Sequence, residues 1–301
     1  MSLPADGGPT AQIFDRGYRR YDGGRTGLQG ALRTLVVHSA RSVLGLGRPA
    51  RFKAIPVLTI TFAYLPAIAF IGMAALLPED VRDQGFLPTY AGYYGYVIAA
   101  IYLFAAFLAP QILCNDRRTG LLGVYLASPL TRPLYLVGKA ITSLLMLLLV
   151  TLGPPLLMLL AFSLESAGPD GFVDWVSVFL RIIASSLVMG LLFTSLALAA
   201  SAATDRSMVA SAAIALLIPG SAIVTDLLVY EAEFSPLLHL ANLANLPREM
   251  IFRIHGEAAS NGSLWLVDDV GTVWLWLSWL AIVCVSVCFL WFQYRRLLVR
   301  R

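Results

Sequence analysis

Side chains able to do chemistry are sparse in this sequence and stand far apart. Histidine occurs only at His38, His239 and His255, so no two have metal-ligand spacing and no H-E-x-x-H motif exists. No serine lies with a nearby His and Asp in an arrangement for nucleophilic catalysis. No G-x-x-x-x-G-K-S/T loop is present to cradle phosphates. The only cysteines are Cys114, Cys284 and Cys288. Cys284 and Cys288 are four apart, hence on one helical face, at a spacing that could hold a soft metal; the simpler account makes them small apolar residues of a membrane helix. Cys114 falls at the expected cytoplasmic end of a span, where thiols stay reduced. The chain is therefore expected to be no enzyme and to carry no metal or cofactor of its own.

Hydropathy sets the elements that hold these residues. Crossing a bilayer takes about 20 mostly apolar residues. Six stretches qualify: Ala54–Leu77, Gly92–Cys114, Ala140–Ser163, Trp175–Ala203, Met208–Tyr230 and Val270–Tyr294. With 58% hydrophobic and 13% charged residues, 301 residues folded in water could not hide so much apolar surface. The expected fold is all-α and polytopic: a cytoplasmic segment 1–53 followed by a six-span transmembrane domain, 54–301.

Charge fixes the expected orientation. Of 22 Lys and Arg, 18 fall before the first span, in the even-numbered connections or after the last span. Only Arg82, Arg248 and Arg253 lie in the odd-numbered connections, and Arg181 lies within the fourth span. Cationic loops remain cytoplasmic, so both termini are expected inside. Twelve acidic residues, from Glu79 to Asp269, fall on the outer side. The net charge of +4 thus follows from topology, and no nucleic-acid partner is implied. Residues 1–27 have no apolar stretch of the kind a cleavable signal needs, so the first span is the expected insertion signal. Arg outnumbers Lys twenty to two, as in GC-rich bacterial genomes, and the expected location is a bacterial inner membrane.

Around the spans, several shorter features stand out. Residues 14–25, FDRGYRRYDGGR, carry four arginines and two tyrosines suited to lipid headgroups or a cytoplasmic partner. Leu28, Leu32, Leu35, Val36, Val43 and Leu46 recur near the helical period, with Arg33, His38 and Arg41 elsewhere, which predicts an amphipathic helix lying in the inner interface. Gly45, Gly47 and Pro49 end it. Pro56, Pro66, Pro110, Pro154, Pro155 and Pro219 sit inside spans, where freed carbonyls must find other partners; broken helices suit a protein that moves, and proline is also simply frequent in membrane helices. Small residues dominate Ser195 to Ala213 and predict close packing of the fourth and fifth spans. Between spans five and six, segments opening on Pro236 and Pro247 read as two short helices. They are too apolar for a water-washed loop and are expected to dip into the outer leaflet or cap the spans. Asn261-Gly262-Ser263 fits a glycosylation pattern without meaning in a bacterium.

The most specific segment is 115–139, NDRRTGLLGVYLASPLTRPLYLVGK. It runs through Asp116-Arg117-Arg118, Gly120, an apolar helix from Leu121 to Leu126, Ser128-Pro129-Leu130-Thr131-Arg132, and Gly138-Lys139. That order resembles the first cytoplasmic loop of type-2 ABC exporter permeases. The family more often has Glu at the acidic position and Thr-Leu after the glycine, where Asp116 and Leu121-Leu122 stand here. Span number, the interfacial helix, the apolar outer helices and the FDRGYRRYDG start resemble the same family. The resemblance implies a transmembrane permease without chemistry of its own, paired with a second copy or a paralogue. Two ATPase chains, holding ATP and magnesium, would dock below. It also implies a coupling helix that enters a groove on the ATPase. Leu121, Leu122 and Tyr125 would supply its apolar face, and Asp116, Arg117 and Arg118 its orienting charges. An ordinary positive-inside loop with a surface helix is the alternative.

Two further constellations remain open at this level. Tyr93, Tyr94 and Tyr96, near the outer end of the second span, fit an interfacial aromatic belt or a substrate pathway that stacks on or grips its cargo. Arg181 and Asp226 are the only ionisable residues in the spans. They either pair with each other across the fourth and fifth spans, or reach separately to the outer surface. Their rarity argues against an ion-driven carrier, which needs intramembrane carboxylates. A structural or assembly role in a larger membrane complex is the alternative function, and the substrate class stays open.

Overall fold

The computed structural model describes residues 27–47, 49–78, 87–121, 123, 125, 130–257 and 270–297. Among them every regular element is helical. The N-terminal FDRGYRRYDGGR run, Leu122, Leu126, Ser128, Pro129 and the Asn261 pattern lie outside the described residues.

Helix α1 is Gly27–Val43. It ends where Gly45 takes a left-handed φ of 68°. There Leu46 N donates to Arg41 O (2.9 Å) and Gly45 N to Ser42 O (3.2 Å), a glycine-terminated cap that satisfies the last carbonyls. The chain then enters α2 (Arg51–Leu76). Next come α3 (Tyr90–Ala109), a π-helical turn over Pro110–Cys114, and the short α4 (Asn115–Arg118). Beyond Gly120, Leu121, Gly123 and Tyr125 are helical. The bundle continues with α5 (Arg132–Thr151), α6 (Gly153–Leu164), α7 (Phe172–Ala203) and α8 (Ser207–Tyr230). A 3₁₀ turn (Pro236–Ala241) and α9 (Asn245–His255) precede the final α10 (Thr272–Leu297).

Six helical segments among the described residues are long and apolar enough to cross a membrane: Lys53–Leu76, Tyr90–Arg118, Arg132–Leu164, Phe172–Ala203, Ser207–Tyr230 and Thr272–Arg295. The six spans read from hydropathy are these six, with shifted ends. The second runs on past Cys114 to Arg118, and the third starts at Arg132 rather than Ala140. Lys139 ends the apolar run in sequence but is buried and paired in space, so its charge does not end the helix.

Helix α7 is the spine of the bundle, packing on α3, α5, α8, α9 and α10. Its 32 residues reach roughly 48 Å at 1.5 Å per residue, enough to join features at both ends. Polar side chains stitch the core as expected where lipid gives helices no hydrophobic reason to associate. Pro155 has no N–H to offer Thr151 O, and Ser186 Oγ donates there instead (3.1 Å). Tyr94 OH shares a hydrogen bond with Ser186 Oγ at 2.9 Å. The Pro154–Pro155 pair thus divides the third span into α5 and α6, and the carbonyl freed by Pro155 is partnered.

Candidate functional site

At the α1 end of the bundle, the connection between the second and third spans is built around a buried ion pair. Lys139 Nζ lies 2.6 Å from Asp116 Oδ2, with side-chain exposures of 2% and 6%. Bare charges at such a depth are costly, so they persist only when paired and hydrogen-bonded. Further hydrogen bonds support both charges. Tyr135 OH donates to Asp116 Oδ2 at 3.0 Å, and Lys139 Nζ donates to Ser39 Oγ of α1 at 2.9 Å. The ammonium also sits 5.5 Å from the ring centres of both Tyr125 and Tyr135, within cation–π range.

Local sequence explains why these groups meet. Tyr135 and Lys139 are four apart on α5, hence on one face. Pro110 opens the π turn in the second span, immediately before the residues that re-aim the chain toward that face. Gly138 lets α1 close on α5. A Cβ there would stand 2.7 Å from Leu35 Cδ2 and 3.0 Å from Leu32 Cδ1.

A second set of bonds ties the same loop to the turn between α7 and α8. Arg117 pairs with Asp205 at 2.6 Å and donates to Ser201 O (3.2 Å) and Ala202 O (3.0 Å), the carbonyls at the end of α7. A cation at a helix C-terminus is favourable in its own right. Cys114 Sγ contacts Thr204 O at 3.3 Å, and the Tyr135 ring lies 6.3 Å from that of Tyr294 on α10. One small region thus joins α1 and the ends of the second, third, fourth and sixth spans.

The charges expected to orient the connection are engaged within the bundle: Asp116 is buried against Lys139, and Arg117 is held by Asp205 and two carbonyls. Hydropathy gave no hint of this, because both partners are remote in sequence. Arg118 is exposed, and Leu121 and Tyr125 are half-buried. Leu122 lies outside the described residues. Lys139, Tyr135, Ser39 and Asp205 were not singled out as site residues. The only signal toward them was Lys139, a lone cation at the edge of an apolar helix.

At the other end of α7, the Pro236–His255 segment folds back into the bundle. Leu246, Met250, Ile251 and Phe252 of α9 are buried. Asn242 Nδ2 donates to Thr225 Oγ1 (3.0 Å), Tyr102 OH to Ala244 O (3.1 Å) and Ser278 Oγ to Leu240 O (2.6 Å). The second short helix begins at Asn245, two residues before Pro247, so the proline is its third residue rather than its first. This segment also decides the fate of the two intramembrane charges. Arg181 Nη1 donates to His255 O at 2.9 Å, while Asp226 Oδ1 faces His239 Nδ1 at 3.5 Å. They do not pair with each other. The infolded segment lies against both α7 and α8 and gives each charge its own partner.

The three tyrosines proposed for a pathway or a belt do not share a surface. Tyr93 and Tyr94 are buried, bonded to Ala63 O and Ser186 Oγ. Tyr96 is 63% exposed, with its ring edge against Phe70. Cys284 and Cys288 are both exposed on α10, and no group of three or more metal-capable side chains occurs among the described residues.

His255 is buried, and burial, helped by the Arg181 cation, lowers its pKa from 6.5 to about 4. The sign is clear: the unfolded chain takes up a proton near 6.5 and the folded chain resists until about 4. The stability associated with this site is complete above 6.5 and is lost as pH falls through that window. His255→Phe is expected to flatten the dependence of thermal unfolding on pH between 6.5 and 4.

The family model for ABC-2 family transporter proteins matches residues 15–295 of the sequence. No curated protein matches it.

Proposed function

The chain belongs to the ABC-2 transporter family and is an ABC transporter permease, and from that premise we propose that it moves cargo outward under the power of a separate ATPase. Two ATPase subunits, holding ATP and magnesium, dock at the α1 end against the 116–126 connection. Both termini lie on that cytoplasmic side of a bacterial inner membrane. A second permease, a copy or a paralogue, completes the pathway. Helices α2 and α8 flank α3 and present broad apolar faces, Leu58, Phe62 and Leu65 on one and Leu216, Ile223 and Leu227 on the other, which suit lipid and a partner permease.

The observation that carries this reading is the buried Asp116–Lys139 pair with its ring of partners. A loop that merely crossed the membrane surface would not need it. With it, the outward part of the connection, Arg118 and Leu121, stands on a rigid base rooted in α1 and the ends of four spans. A push on that base reaches α7 through Arg117 and α5 through Lys139. ATP-driven closure of the ATPases would then shift the permeases against each other, and this chain would perform no chemistry.

Replacing Leu121 and Leu122 by Asp is expected to leave membrane insertion intact and to abolish ATP-dependent transport while ATP turnover continues. Normal transport by that variant would overturn the coupling role. Failure of any ATPase to co-purify with the wild-type chain would favour an assembly protein instead.

A further inference from the structure

We propose that the elbow between α1 and the first span binds the phosphate of an anionic phospholipid. A concavity there is lined by His38, Arg41, Ser42, Leu46 and Gly47. His38, Arg41 and Ser42 stand at i, i+3 and i+4, one face of a helix, so an imidazole, a guanidinium and a hydroxyl converge on one pocket. Arg41 is exposed and makes no ion pair among the described residues. Its planar fork matches two phosphate oxygens. A Cβ at Gly47 would meet nothing within 4 Å, so the mouth of the pocket is open.

Charge supplies the second, independent observation. Between Asp22 and Glu79 the sequence has no carboxylate, yet it has Arg25, Arg33, Arg41, Arg48, Arg51 and Lys53. A cationic stretch without counter-charge of its own draws anions from outside, and a juxtamembrane one draws acidic lipid. The apolar surroundings select the source. Leu46 (52% exposed), Val37 (47%) and Leu28 (43%) stand on α1 and its cap, where acyl chains can cover them and free phosphate cannot. An acidic protein surface would meet the cations but leave those side chains in water. The site rests on the reading of α1 as a helix of the cytoplasmic membrane surface.

The test is native mass spectrometry of the full chain released from nanodiscs of phosphatidylcholine with or without phosphatidylglycerol. The wild type is expected to retain phosphatidylglycerol in preference to phosphatidylcholine. Arg41→Ala is expected to lower that retention about fivefold, the share of one cation near an anionic membrane. Arg132→Ala, an exposed cation outside the pocket, should not change it. Among the described residues the Arg41 side chain makes no ion pair, so its variant is expected to fold, and unchanged thermal unfolding checks this. Equal retention by Arg41→Ala would overturn the proposal. So would displacement by millimolar inorganic phosphate, which would make the ligand a free anion. Loss of ATPase binding with lipid retention untouched would assign the pocket to a protein partner and overturn it as well. The Leu121, Leu122 double Asp variant should retain the lipid fully, so failure of the coupling reading leaves this result unchanged.

Discussion

Lys139→Met is expected to be the most damaging single substitution in the chain. It leaves the Asp116 carboxylate, 6% exposed, with the Tyr135 hydroxyl as its partner among the described residues in place of a cation at 2.6 Å. Breaking one side of a buried pair costs about 3–5 kcal/mol, a large fraction of a typical stability of about 5–15 kcal/mol. Thermal unfolding in detergent should shift strongly downward. Adding Asp116→Asn removes the stranded charge while keeping an acceptor for Tyr135, and should recover most of the loss. The recovered double variant is the informative one. If the pair transmits force, it should insert and unfold like the wild type yet couple ATP turnover to transport poorly. Should the double variant be no more stable than Lys139→Met, the pair is not what holds this region.

Arg253→Met is expected to have the next largest effect, at the other end of the bundle. Arg253 Nε lies 3.0 Å from Glu249 Oε1, whose side chain is 6% exposed. Its Nη atoms donate to Thr272 Oγ1 (2.6 Å) and Val270 O (3.0 Å) at the start of α10. One guanidinium therefore binds α9 to the sixth span. Its loss should cost about 3 kcal/mol, the low end of the range for a buried pair, because Arg253 itself is 22% exposed. Arg253→Lys keeps the charge but cannot serve three acceptors with a planar fork, so an intermediate loss is expected. Hydrogen exchange should rise over residues 245–255 before any other helix. Uniform destabilisation of all helices would show that Arg253 does not act through α9.

The two substitutions also mark the boundary of what the sequence determined. Hydropathy is a property of consecutive residues, so all six spans were legible, together with a short helix before them and two after the fifth. The family was legible for a similar reason, since Asp116 to Lys139 form one continuous stretch. Pairing in space was not legible. Lys139 lies 23 positions from Asp116 and 100 from Ser39, and Arg117 lies 84 from Ser201. Nothing in periodicity links such distant positions. Arg181 and Asp226 show the same limit. Their place on consecutive spans made a pair one of two readings, but position along a helix does not specify azimuth, and the infolded Pro236–His255 segment offered other partners. The tyrosines of the second span were grouped by spacing, whereas helix rotation buried Tyr93 and Tyr94 and left Tyr96 outside. Sequence determined which segments are helical and apolar enough to cross a membrane. Only tertiary packing decided which polar groups face one another, because a buried charge takes its partner from whichever helix the fold brings against it.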